Sequence, residues 1–170
     1  SVKSSPLYAA KGKVVLDGVL DEADWTSATV SDDFRWKKTY NVDFQAEQRF
    51  DPHTKMLLMH DRTFLYIGFV CEKTPGFPER DVPDDGTTFT ATIGSHLQVN
   101  VQSPDQNGEY FHLALSHNGK TYSARTLNPT TRDLGAKCAF RHAIRDEPGR
   151  WTVELALPLK DFGALPKAGE

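Results

Sequence analysis

The clearest alternation of apolar and polar positions lies at Arg150-Trp-Thr-Val-Glu-Leu-Ala-Leu-Pro158. Trp151, Val153, Leu155 and Leu157 share one face of an extended strand, and Thr152, Glu154 and Ala156 share the other. Pro158 has no N–H to give to a ladder and closes the strand. Glu154 stands out, because a carboxylate in such a strand is either turned to water or held by a hydrogen-bonding or charged partner. The second strong signal is a hairpin: residues 54–60 and 64–71 are extended runs joined by Asp61-Arg62-Thr63. Leu65, Ile67 and Phe69 alternate with Tyr66, Gly68 and Val70, and both sets are apolar enough for a strand covered on both sides.

The remaining pattern is of the same kind. Short strands are expected at 13–16, within 31–50, and at 96–101, 110–117, 120–126 and 137–144. Asn118-Gly119 supplies the turn of a tight hairpin, and Glu147-Pro148-Gly149 the turn into the Trp151 strand. Asp17-Gly18 offers another turn, and Asp21 is placed to cap a single helical turn ending near Trp25, which plugs one end of the core. Residues 1–12 read as a leader without an element of its own, and residues 73–94, rich in proline and glycine, as a long excursion of the kind that often carries function. Many short strands, frequent turns and no helix of ordinary length predict an all-β chain folded as an antiparallel β-sandwich over residues 13–170.

Composition narrows the function. A length of 170 residues suits one domain with a substantial core. The formal net charge of −3, with both signs mixed along the chain, gives no footprint for nucleic acid or an anionic membrane, and no apolar run reaches the roughly 20 residues of a membrane span. Cys71 and Cys138 fit no metal or redox spacing and read as buried free thiols; a disulfide between them would require an oxidising compartment.

Four motifs in order resemble the family 9 carbohydrate-binding modules and their wider carbohydrate-binding-like group, which includes haem-binding relatives. They are Asp17-Gly-Val-Leu-Asp-Glu-Ala-Asp-Trp25, Phe64-Leu-Tyr-Ile-Gly-Phe69, Tyr110-Phe-His-Leu with Asn118-Gly119, and Trp151-Thr-Val-Glu-Leu-Ala-Leu-Pro158. The resemblance implies a sandwich of immunoglobulin-like or jelly-roll type. It also implies an exported protein, extracellular, periplasmic or at the cell surface, and a non-catalytic sugar-binding role in polysaccharide degradation beside a covalently attached catalytic or anchoring domain. Its departures are specific. The two tryptophans that clamp the sugar in such modules have no counterpart here, the usual acidic residue of the next strand is Gln98, and the basic residue facing the sugar is replaced by His112. Similar domains also continue past Gly169-Glu170 with a further strand, so the sandwich is expected to lack its last one and leave an open edge.

Sugars are held by flat aromatic faces against C–H surface and by amide, carboxylate, Arg or His groups on hydroxyls. With Trp25 and Trp151 assigned to the core, the candidates for an oligo- or polysaccharide are Trp36, Gln98, Asn100, Tyr110, His112 and Arg125, the last five expected to converge on one sheet face. Asp81, Asp84 and Asp85 are candidates for a loop calcium site. An alternative of the same fold, an electron-transfer haem domain, would draw axial ligands from Met56, Met59, His60 and His112; a structural spacer is the other alternative. Adjacent acids such as Asp21-Glu22 and Asp84-Asp85 show no acid/base division of labour, so no enzyme is expected.

Overall fold

The computed structural model describes residues 7–32, 53–73, 96–102, 108–128, 131–133 and 135–163. Its strands are β1 Tyr8–Ala9, β2 Thr29–Ser31, β3 Thr54–His60, β4 Phe64–Glu72, β5 His96–Val101, β6 Tyr110–Ser116, β7 Thr121–Asn128, β8 Thr131–Asp133, β9 Arg141–Glu147 and β10 Arg150–Pro158. The larger sheet has the order β1-β3-β4-β10-β9, with β2 also pairing β3; the smaller has the order β5-β6-β7-β8. Apart from the parallel β1–β3 pair, the ladders are antiparallel.

Period-two alternation sets which side of each strand is dry. Trp151, Val153, Leu155 and Leu157 of β10 join Ile67, Phe69 and Cys71 of β4 and Phe111, Leu113 and Leu115 of β6 in one buried cluster, so the two sheets face each other across it. Cys71 and Cys138 are both buried there as free thiols, and burial pushes each up to about 12, far from a reactive thiolate.

The other side of the larger sheet is covered too, by residues 10–28. Leu20 and Trp25 lie over Gly68, where an added Cβ would come 2.8 Å from a Leu20 methyl carbon and 3.1 Å from the Trp25 ring. Three carboxylates fasten this segment. Asp24 accepts from Tyr8 Oη at 2.9 Å and from the backbone N–H groups of Lys11 and Gly12 at 3.1 and 2.7 Å, which holds its carboxyl below the ordinary value. Glu22 accepts from Val15 N–H at 2.7 Å. Glu154, fully buried in β10, accepts from the N–H groups of Asp17 and Gly18 at 2.9 and 2.7 Å, while Thr152 donates to the Gly18 carbonyl at 2.6 Å. The first and last of the four sequence motifs are therefore halves of one joint. Asp24→Ala is expected to lower the melting temperature by a few degrees and to speed amide exchange at Lys11 and Gly12, since both N–H groups lose their acceptor.

Several local expectations are corrected. Residues 13–16 form no strand: Val14 and Leu16 pack onto the larger sheet's outer cluster instead, and the Val15 N–H goes to Glu22. Asp21 caps nothing; the single turn is a 3₁₀ helix, Ala23–Ser27, which Glu22 precedes without a side-chain cap. Tyr8 and Ala9, within the expected leader, pair with Met59 and His60. The strand expected over residues 137–144 is β9, shifted to Arg141–Glu147.

Candidate functional site

The smaller sheet buries Leu97, Val99 and Val101 of β5 and Phe111, Leu113 and Leu115 of β6 against the core. By alternation, the intervening residues form its outer face. Register aligns Gln98 with Ala114 and Tyr122, Asn100 with His112 and Ala124, and Tyr110 with Thr126 and Arg132. Gln98, Asn100, Tyr110 and His112 thus lie together on this face, as the sequence pattern predicts.

Their side chains form a directed row. His112 Nε2 lies 2.9 Å from Gln98 Oε1, and Gln98 Nε2 lies 2.9 Å from His96 Nε2. Burial, and then the nearby Arg132 charge, push His112 below the ordinary histidine value, so its ring is neutral near pH 7. The network then assigns one polarity: His112 Nε2–H donates to the Gln98 carbonyl, the Gln98 amide donates to His96, and His112 Nδ1 is left as an acceptor. Ala114 and Ala124, almost fully buried, leave room for the His112 ring to meet Tyr122 edge-on at 5.5 Å. Tyr122 Oη and Thr126 Oγ1, buried on the same face, have no hydrogen-bond partner among the described residues. The result is a face of exposed amide and guanidinium groups around a half-buried imidazole, suited to a neutral polyhydroxyl ligand.

Arg125 does not belong to it. In the ladder it stands opposite Phe111 and Asp133, on the reverse side of the sheet, and its guanidinium pairs with Glu109. The parity of β7 dictates this: Tyr122, Ala124 and Thr126 take the outer face, so the odd-numbered neighbour cannot. Trp36, Asp81, Asp84 and Asp85 lie outside the described residues. His96, Tyr122 and Arg132 join the face without having been expected. Tyr122 was recoverable from the Asn118-Gly119 hairpin, whose register sets it diagonal to His112, whereas Arg132 sits on a three-residue strand that reads in sequence as a loose connection.

The haem alternative finds no gathered ligands. Met56 packs toward the inter-sheet core and the fully buried Met59 toward the opposite face of β3. His60 Nδ1 is bonded to the Asp61 carbonyl, and His112 is on the other sheet. Among the described residues no three His, Cys, Asp or Glu side chains cluster as a metal site.

The chain resembles solved structures in fold. A family 9 carbohydrate-binding module from Caldicellulosiruptor kristjanssonii in complex with cellotriose matches with a TM-score of 0.58 at 15% identity, over 96% of this chain and 71% of that one. The family 9 module from that organism in complex with glucose matches with the same TM-score and identity, over 95% and 71%. No protein-family model and no curated protein sequence matches the chain. The fold is thus a family 9-like antiparallel β-sandwich.

Proposed function

We propose that this chain is a non-catalytic carbohydrate-binding module that takes an oligo- or polysaccharide on the outer face of β5, β6 and β7. The observation that carries this reading is the His96–Gln98–His112 row, whose two side-chain hydrogen bonds are exposed on the outer face of the smaller sheet. An amide and a neutral imidazole can each both donate and accept, as hydroxyl groups require, and the half-buried Tyr110 supplies ring surface for sugar C–H groups. The solved structures of the same fold with cellotriose and glucose support a glucan as the first ligand class to test. The face carries no carboxylate pair among its described residues, which supports binding without hydrolysis. Such a module works on polysaccharide outside the cytoplasm, extracellular, periplasmic or at the cell surface, attached to a larger carbohydrate-active protein.

The test is affinity electrophoresis and calorimetry against soluble and insoluble polysaccharides, starting with cello-oligosaccharides. The chain is expected to bind at least one, and His112→Ala and Gln98→Ala are each expected to weaken it about tenfold, the loss of one or two hydrogen bonds at a contact that dominates affinity. Silence toward every plant, algal and host polysaccharide would overturn the proposal.

A further inference from the structure

A cleft of about 390 Å³ lies on the opposite side of the sandwich, lined by the Gly18-Val19-Leu20 turn, Val70 of β4, Thr152 and Arg150 of β10, and Arg145 and Glu147 of β9. Its size is within the range of small-molecule sites, roughly 300–1,000 Å³. One wall, formed by Val19, Leu20 and Val70, is apolar. The other carries two guanidinium groups arranged by a single carboxylate. Glu147 Oε1 accepts from Arg145 Nε at 2.9 Å and Glu147 Oε2 from Arg150 Nε at 2.9 Å.

This arrangement uses the Nε–H edge of each arginine and leaves four N–H donors per guanidinium on the Nη side. Two positive charges against one negative leave the lining with a net charge of +1. The floor is fixed, because Thr152 is tied to the Gly18 carbonyl and Gly18 to Glu154. Held guanidinium forks match a planar carboxylate in two-point geometry, and a valine-leucine wall matches the C–H face of a ring.

We infer that this cleft is a second binding site, for a saccharide unit bearing one carboxylate, a uronate, with the carboxylate on Arg145 and Arg150 and the ring against Val19, Leu20 and Val70. The sugar part of this inference rests on the reading of the chain as a carbohydrate-binding module, whereas the anion part rests on the cleft alone. The two sites are on opposite sheets, so they are expected to fill independently.

The experiment is an amide-shift titration of the full chain with glucuronate, glucose and acetate, each alone. Glucuronate is expected to shift Gly18, Val19 and Thr152. The Arg145→Gln, Arg150→Gln variant is expected to bind it tenfold or more weakly, and Arg145→Lys, Arg150→Lys, which keeps the charge and loses the fork, is expected to fall in between. Absence of those shifts, or shifts that survive the double glutamine variant, would overturn the site. Equal shifts from acetate would overturn the assignment to a sugar. Binding of cello-oligosaccharide at Gln98 and His112 is read in a separate titration of the same protein, so failure at the cleft is distinct from failure of the module reading.

Discussion

Glu154→Ala is expected to lower the unfolding free energy by about 2–4 kcal/mol, measured as a fall in the urea midpoint at unchanged slope. The change removes a fully buried side chain and leaves the buried Gly18 N–H and the partly buried Asp17 N–H without their acceptor. Glu154→Gln keeps one acceptor oxygen and is expected to cost much less. The two variants also separate hydrogen bonding from charge. Burial raises the Glu154 carboxyl above its ordinary 4.5, the two backbone donors opposing that rise in part. The folded protein therefore binds this proton more tightly than the unfolded chain. Its contribution is favourable below the ordinary value and is lost as pH rises through the raised one, so Glu154→Gln gains relative to the parent as pH climbs from 4.5 toward neutrality. Asp24 and Asp61 act in the other direction. Burial raises Asp61, but the N–H groups of Phe64 and Thr63 and the Tyr66 hydroxyl outweigh it, and its carboxyl is lowered like that of Asp24. Their contribution is present above the ordinary carboxylate range and lost as pH falls through their lowered values. A Glu154→Gln stability profile parallel to the parent's across pH 4.5 to 7 would contradict this account of the joint.

Gly18→Ala is expected to cost about 3 kcal/mol or more in the same assay. Gly18 has φ +83°, and a Cβ there would sit 2.8 Å from Arg145 N and 2.9 Å from Ile144 C. Both are backbone atoms of β9, so no rotamer change relieves the contact. Gly149 provides the control: it has the same φ of +83° with nothing within 4 Å of an added Cβ, so Gly149→Ala is expected to cost only the backbone term, about 1 kcal/mol. Equal losses at the two glycines would show that the turn does not press on β9. Because Gly18 and Glu154 share a hydrogen bond, the double variant is expected to lose less than the sum of the singles.

The strands that position the site are legible in the sequence because each is a long alternating run with a turn residue at its end. β3, β5 and β10 lie where periodicity puts them, and Asn118-Gly119 fixes the β6–β7 hairpin. What alternation does not show is where a segment without regular structure goes. Residues 13–16 alternate like a strand, yet their partners are the Glu22 carboxylate and an apolar sheet face, and no ladder forms. For Glu154 the sequence leaves open a carboxylate turned to water or one held by a partner, and the partner it has is backbone 136 and 137 residues earlier in the chain, a pairing that only tertiary structure makes. At the candidate site, four of the five residues expected on one face share it. Arg125 fails because parity within β7 outranks residue type, and Arg132 was missed because three exposed residues carry no period.

The account stands most directly on where a neutral glucan touches the molecule. In an amide-shift titration with cellotriose, the predicted result is saturable movement of Gln98, Asn100, His112 and Arg132, with Gly18, Thr152 and Arg145 unmoved. Movement confined to those last three, or none at all, would contradict it.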